Sequence, residues 1–428
     1  MLSLLSTVVL AAPQDGLPAA GFCDTPLALE VLRGRAQASH PGMLLPPGGA
    51  GDVSPPPMAD RAFNGSPYAL HQETEHFTIN WFDEALPQPA VNLAAEALEQ
   101  AWTAFIDEQG WPEPVSSDRY YLWVLLDPSL GETTGYTVEF FDDQYADGYP
   151  VIYLNPDWIS HPDFYRALAA HEFMHAIQFA MRDWSEQDSE QSWYWEASAN
   201  HASELAGPDW DGHQYTSAWY AEQAQLRFDS EVGAHHYGMF VLNAYLEDQL
   251  GPGTMKGIWE QAAADPNTQS WDLLITQATD LPADEVIASF SAAYANGLLP
   301  ESALYTPMTG EGDYAAGLGG TLDTLGSHAW TAPEAGWIQV EGPALLGAVD
   351  GQTGTTIWAE AGSAFTVTGL EDGAVYTLSE GTAPDTGEPG DPEKGCGGCA
   401  AGGGPGWLLG ALGLMFVRRR KIRVDRRA

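Results

Sequence analysis

Residues Pro162 to Trp184 form a run that is apolar nearly all round, with Phe164, Leu168, Phe173, Ile177 and Phe179 spread over the whole circumference of a helix. Such a helix has no face to give to water, so it must lie inside a domain with structure packed on every side. Ser160, three residues ahead of Asp163, is expected to start it as a capping box. Yet the same run carries His171, Glu172 and His175. Two imidazoles and a carboxylate on a buried helix need three separate hydrogen-bonding solutions, or one metal ion that serves all three.

The three residues stand in the pattern HExxH, His171-Glu172-Phe173-Met174-His175. Positions i and i+4 of a helix lie one above the other with Cβ atoms roughly 5–6 Å apart. Two ring nitrogens at that spacing can meet one zinc ion at about 2.0–2.1 Å each. Glu172 projects about 100° round the helix from His171, where it can reach a water beside the ion. The bland reading is a pair of core histidines with ordinary partners, and a pattern of three fixed letters arises by chance in roughly a few per cent of chains this long.

A catalytic zinc takes a third protein ligand and keeps one position open for water. Downstream, Trp193-Tyr194-Trp195-Glu196-Ala197-Ser198-Ala199-Asn200 places a carboxylate among small residues with helical spacing, and the whole reads HExxH-x20-E. In these two segments, from about Ser160 to Glu204, the chain resembles the gluzincin branch of zinc metallopeptidases. The resemblance implies a zincin-like domain in which His171, His175 and Glu196 hold Zn2+. Rival carboxylates are Glu186 and Glu190, in the polar connection SEQDSEQS that reads as solvated surface, and Glu204, which reads as structural. Asn200, one turn after Glu196, stands where many gluzincins have an Asp and is a candidate to orient a ligand histidine. The segment Ala176 to Arg182 lacks the Gly and third His that a metzincin requires.

The resemblance implies a mechanism. Zinc would activate a water and polarise the scissile carbonyl, and Glu172 would take the water's proton and pass it to the leaving amine. The oxyanion wants a further donor. Candidates lie in Ala234-His235-His236-Tyr237-Gly238. Tyr237 comes first, because some gluzincins use a Tyr or His there, and His236 second; simple packing at a helix start is the other reading. The strand Val151 to Leu154, just ahead of the zinc helix, holds the place where zincins keep an edge strand for extended substrate.

Around this core the patterns alternate. His76 to Phe82, Arg119 to Leu126 and Pro150 to Leu154 read as strands, and Pro89 to Gln109 has the three-and-four spacing of a helix. Helical stretches follow over Ser192 to Leu205, Ser217 to Phe228, Ala234 to Leu250 and Ala283 to Leu298, with shorter pieces between the last two. After Thr321 the pattern changes to short alternating runs with Gly turns, at Trp337 to Glu341, Thr355 to Ala359, Ala364 to Thr368 and Ala374 to Leu378. This predicts a small β-sandwich-like module. No tandem repeat of solenoid or propeller type is present.

Both ends read as addresses. Met1 to Ala12 is a short apolar run followed by small residues and Pro13, as in a secretory signal, although it lacks the basic start; a buried N-terminal strand is the alternative. Residues Pro13 to Ser66 are rich in Pro, Gly and Ala and suit a surface wrap or a pro-segment. Thr382 to Lys394 is an acidic Pro/Gly linker with nothing to bury. After it come Gly395-Cys396-Gly397-Gly398-Cys399, the apolar run Trp407 to Val417, and Arg418, Arg419, Arg420, Lys421. The apolar run is short for a spanning helix of about 20 residues and suits a processed signal, with the Arg cluster held in the cytoplasm. In these features the last 35 or so residues resemble the MYXO-CTERM sorting tail of myxobacterial surface proteins. The resemblance implies cleavage near Gly-Cys by a sorting enzyme and display at the cell surface. Cys396 and Cys399 compete for the processed position, with Cys396 favoured by its place after Gly395; a redox or half-zinc CxxC lacks a second pair.

Composition fits an exported domain. The 428 residues hold 16 Lys+Arg against 59 Asp+Glu, a net charge of −43, and seven of the basic residues lie in Arg418 to Arg427. A chain so poor in cations is repelled by phosphate backbones, which argues against nucleic acid as a partner. With 16 Trp, 17 Tyr and 15 Phe it is far too aromatic for an acidic disordered chain. Three cysteines allow no disulfide framework.

The expected organisation is therefore α+β: a signal peptide (1–12), a Pro/Gly-rich segment (13–66), a zincin-like metallopeptidase domain with a mostly helical second half (67–310), a small all-β C-terminal module (318–381), a linker (382–395) and a sorting tail (396–428). The expected function is that of an exported, surface-displayed zinc metalloendopeptidase acting on protein or peptide substrates. Two other readings stay open. One is an inactive relative serving as a binding module, against which Glu172 argues; the other is an adhesion protein whose β module does the binding.

Overall fold

A computed structural model describes residue 23 and residues 70–81, 86–118, 120–131, 133–142, 145–181, 192–210, 213–230, 232–264 and 270–383. The expected signal peptide, the rest of the 13–66 segment, nearly all of the linker, the sorting tail with Cys396 and Cys399, and the rival ligands Glu186 and Glu190 lie outside the described residues. Among those described, no helix is long and apolar enough to cross a membrane. The fold is α+β, and it divides into two units: residues up to Ala283 together with Leu299–Thr309, and residues 284–298 together with those from Gly310 onward.

In the first unit, strands β1 (Leu70–Glu73), β2 (Phe77–Trp81), β3 (Leu122–Leu126), β4 (Gly135–Asp142) and β5 (Tyr145–Leu154) form one sheet. Their order is β1-β2-β3-β5-β4. The β2–β3 and β3–β5 pairs are parallel, and the two outer pairs are antiparallel. Every residue of β3 (LWVLL) is buried, as a central strand covered on both faces requires. The resemblance to zincins implies a substrate-facing edge at Val151 to Leu154, and here the structure differs. Those residues sit in β5, paired on both sides, because β4 pairs antiparallel with it and takes the outer position. The edge strand nearest the HExxH helix is β4.

Helix α1 (Gln88–Trp102) begins with Pro89 in its first turn, where a missing N–H costs nothing, and continues into a π turn over Thr103–Glu108. Helix α2 (Pro162–Met181) carries HExxH and is buried from Phe164 to Phe179 apart from Arg166. Its start is not the expected capping box. Ser160 ends a 3-10 turn, Pro156–Ser160, and its hydroxyl lies against the Asp157 carbonyl and His161 Nδ1, while the His161 carbonyl accepts the first helical bond from Tyr165. Phe173 anchors α2 from the face away from the histidines. Its ring lies 5.1 Å from Phe77, 5.7 Å from Trp102 and 6.0 Å from Phe105, centroid to centroid. Full burial of such a side chain contributes roughly 1.5–3 kcal/mol, and each favourable ring pair about 0.5–1.5 more.

Helix α3 (Ser192–Ala206) lies against α2 and is buried along almost its whole length. Then come α4 (His213–Ala221), α5 (His235–Gly238), α6 (Phe240–Leu250), α7 (Thr254–Ala264) and α8 (Trp271–Thr279). The continuous helix expected over Ala234 to Leu250 is broken. Gly233 (φ 60°) and Ala234 (φ 66°) both take left-handed backbone ahead of α5, and Met239 separates α5 from α6. The break has a packing cause: a Cβ on Gly238 would stand 2.3 Å from the Tyr220 backbone nitrogen, so only glycine lets α5 come this close to α4.

Among the described residues, the second unit contains α9 (Ala283–Ala295, from Asp284 on) and nine strands. These are β6 (Gly310–Asp313), β7 (Gly319–Leu322), β8 (Ser327–Thr331), β9 (Gly336–Glu341), β10 (Ala344–Gly347), β11 (Thr353–Gly354), β12 (Thr356–Ala359), β13 (Ala364–Gly369) and β14 (Ala374–Glu380). They form sheets of order β11-β10-β13-β8-β6 and β12-β9-β14-β7. Both sheets send side chains into one buried cluster, Trp330, Leu346 and Phe365 from the first and Ile338, Ile357 and Leu378 from the second. Ser291 and Asn296, at the C-terminal end of α9, are tied to Ser327 and Ala364 by hydrogen bonds.

Candidate metal centre

The helix geometry of α2 sets His171 and His175 on one face, edge to face, with ring centroids 4.7 Å apart and Nε2 atoms 3.1 Å apart. Helix α3 brings Glu196 up to both: its Oε2 lies 3.0 Å from His171 Nε2 and 3.4 Å from His175 Nε2. All three side chains are fully buried. The sequence-expected ligands thus converge on one point. Glu204 does not join them; it lies 3.8 Å from His201, which also faces Glu247.

The far side of each imidazole decides what that point can hold. His171 Nδ1 lies 2.8 Å from Asn200 Oδ1, and His175 Nδ1 lies 2.7 Å from Gln178 Oε1. The amide orientations are fixed, because Asn200 Nδ2 donates to the Tyr237 carbonyl and Gln178 Nε2 donates to the Trp195 carbonyl and Ser198 Oγ. Each Nδ1 must therefore carry the hydrogen, which leaves each Nε2 of a neutral ring with only a lone pair. Two such lone pairs and a carboxylate facing one another across about 3 Å repel unless a cation lies among them. Glu196 Oε1, also buried, has no hydrogen-bond partner among the described residues. The donor set fits a divalent ion that takes imidazole nitrogen and carboxylate oxygen, as zinc does.

The electrostatics follow from burial. Burial alone would raise Glu196, but His175 and His171 outweigh it and hold the carboxyl down at about 2. Burial alone would lower His175, yet the charge and hydrogen bond of Glu196 leave it raised. Glu172 is pushed up by burial, against the pull of His171, His175 and a hydrogen bond from Cys23.

Glu172 is held beside the centre by β4. Thr137 Oγ1 lies 2.8 Å from both the carboxylate Oε2 and the backbone carbonyl of Glu172. Gly135 makes room for it: a Cβ there would stand 3.1 Å from Glu172 Oε1 and 2.8 Å from the Tyr153 carbonyl oxygen. Tyr237 also reaches the centre, its ring 6.3 Å from that of His171. Burial lowers His236 to about 4 despite the nearby Glu196, and its ring lies 4.1 Å from that of Tyr237.

Sequence reasoning missed four contributors. Gln178 stands three residues after His175 on the same helix face, a spacing that signals a partner. Thr137 and Gly135 belong to a strand that was not read from the sequence. Cys23 joins His171, His175 and Glu196 in a group whose ligand atoms all lie within 4.8 Å of one another.

A family described only as a family of unknown function (DUF6055) matches residues 65–273. The matched span contains His171, Glu172, His175, Glu196 and Tyr237 but not Cys23. No curated protein matches the chain.

Proposed function

We propose that the chain is a zinc metalloendopeptidase with a zincin-like first unit, exported and displayed at the cell surface through its C-terminal tail. The observation that carries the reading is the convergence of His171, His175 and Glu196 on one buried point with the Glu172 carboxylate alongside. A site built only to hold metal needs no second carboxylate; a hydrolytic one needs a base.

Zinc, when bound, supplies a Lewis acid that makes water nucleophilic near neutral pH and polarises a carbonyl. The chain's residues do the rest. His171 and His175 are held in their ligating tautomer by Asn200 and Gln178. Glu172 accepts the attacking water's proton and delivers it to the leaving amine. Tyr237 donates its hydroxyl hydrogen to the developing oxyanion. The outer strand β4, next to Glu172, offers its free edge to an extended peptide, which would be held by main-chain hydrogen bonds.

The second unit, read as a β-sandwich-like module, belongs to the same exported chain, and the tail would engage a sorting enzyme and the membrane. The acidic composition remains an argument against nucleic acid as a partner.

Glu172→Gln tests the reading. The variant should bind zinc as the parent does and lose casein hydrolysis by roughly 10²-fold or more, the usual worth of a general base. Equal cleavage by parent and variant, once both are active enough to measure, would remove Glu172 from the mechanism.

A further inference from the structure

Cys23 lies far from the centre in sequence and against it in space. It is 3 % exposed, and its Sγ is 3.5 Å from His175 Nε2. Its backbone is fixed by Tyr237, whose hydroxyl accepts the Cys23 N–H at 3.2 Å and donates to the Cys23 carbonyl oxygen at 2.5 Å. A peptide carbonyl accepting from Tyr237, with its neighbouring side chain directed at the metal point, occupies the place assigned above to a substrate's scissile carbonyl. The thiol meanwhile stands as a fourth donor beside His171, His175 and Glu196, and the fourth is the one a catalytic zinc leaves to water.

We propose that Cys23 is a latency ligand: its sulfur takes the fourth coordination position and its carbonyl takes Tyr237, so the chain is a zymogen while Cys23 is in place. The proposal rests on the metallopeptidase reading. Two independent features point to the same ligation. The buried lone pairs of His171, His175 and Glu196 already call for a cation, and Glu196 Oε1 is buried with no hydrogen-bond partner among the described residues. The Cys23 thiol would enter that set as thiolate, its proton released to solvent, so that His171, His175, Glu196 and Cys23 together would offer the ion two nitrogens, one oxygen and one sulfur. A shell closed by four protein atoms has no room for the attacking water. Activation is the reverse exchange: cleavage of the chain beyond Cys23, or a competing thiol reagent, takes the sulfur away and water replaces it, with no redox change.

The contrary possibility is a structural zinc that needs all four ligands. The full chain loaded with Co2+ separates the two, because thiolate–cobalt charge transfer absorbs in the near ultraviolet and is read without any substrate. The parent should bind one Co2+ per chain and show the band, and Cys396→Ser and Cys399→Ser should keep it. Cys23→Ala should bind one Co2+ without the band, and its zinc form should hydrolyse casein roughly tenfold faster or more, since activity scales with the fraction of chains whose site is open. Alkylation of the parent, mapped peptide by peptide, needs no variant: zinc should protect Cys23 and its removal should expose it. A parent lacking both band and protection overturns the ligation. Loss of metal from Cys23→Ala overturns latency in favour of a structural site. A band and protection in the parent, with metal kept but no gain of hydrolysis in Cys23→Ala, overturns latency and leaves the ligand assignment standing. Failure of the peptidase reading itself would show separately, in the Cys23→Ala background, as hydrolysis that is absent or that adding Glu172→Gln does not lower, whereas failure of latency alone leaves the parent and Cys23→Ala hydrolysing equally and both losing it with Glu172→Gln.

Discussion

Gln178→Ala removes the acceptor of His175 together with two hydrogen bonds to Trp195 and Ser198, and only the first of these differs between the metal-bound and metal-free states. In the parent, His175 Nδ1–H donates to Gln178 Oε1 at 2.7 Å inside a fully buried environment. With metal bound, His175 must keep its hydrogen on Nδ1, so removing the acceptor leaves a buried donor unsatisfied at a cost of about 1–3 kcal/mol. Without metal the ring escapes that cost, because it can move the hydrogen to Nε2 and face Glu196 Oε2, 3.4 Å away. The penalty therefore falls on the bound state alone and appears as weaker affinity. At about 1.4 kcal/mol per tenfold, it predicts a loss of roughly 5- to 150-fold. That range brackets the 10–100-fold typical of such outer partners. Competition with a chromogenic chelator measures it directly. A folded Gln178→Ala that binds zinc within about twofold of the parent would refute the tautomer argument on which the metal reading stands.

Other outcomes follow from particular contacts. Gly135→Ala should lower hydrolysis roughly tenfold or more while leaving zinc affinity unchanged, because its Cβ would crowd Glu172 Oε1 at 3.1 Å and a small misplacement of a base is expensive; parent-like turnover, assayed alongside metal binding, would contradict the placement of Glu172 by β4. Burial would lower His201, but its hydrogen bond with Glu247 at 3.3 Å and the charges of Glu204 and Glu247 raise it to about 9. A folded-state pKa raised above the unfolded value stabilises fully below about 6.5, and the benefit is lost as pH rises through about 9, so denaturant midpoints should fall across that window by up to roughly 3 kcal/mol of stability. In His201→Gln the slope should flatten, and a parent of level stability from pH 6.5 to about 9 would show that the pair contributes nothing.

The core of the site was legible because helix geometry is rigid. Once Pro162 to Met181 is a helix, His171 and His175 must share a face, and Phe173 between them must point into the opposite core. Glu196 was reached through the chain's resemblance and then through the structure, since only packing of α3 on α2 brings it within 3.0 Å of His171. What escaped were contacts that no local period encodes. Cys23 and His175 are 152 residues apart, and the intervening Pro/Gly-rich sequence carries no signal of where the cysteine goes. The edge strand was misplaced by one strand: Gly135–Asp142 pairs antiparallel along the outer side of Tyr145–Leu154, an arrangement decided by pairing and not by alternation. The break between α5 and α6 was likewise invisible to apolar spacing, because it depends on left-handed backbone at Gly233 and Ala234 and on the close approach of Gly238 to Tyr220. In the second unit the strands at Gly336–Glu341, Thr356–Ala359, Ala364–Gly369 and Ala374–Glu380 were read, and Gly310–Asp313, Gly319–Leu322, Ser327–Thr331, Ala344–Gly347 and Thr353–Gly354 were not.

The central claim is that His171, His175 and Glu196 hold a metal ion, and metal analysis of the purified full-length chain tests it most directly. The account predicts about one zinc per chain in the parent and none in Glu196→Ala prepared the same way. A folded parent that retains no zinc after saturation and desalting, or a Glu196→Ala chain that holds it as tightly as the parent, would contradict the account.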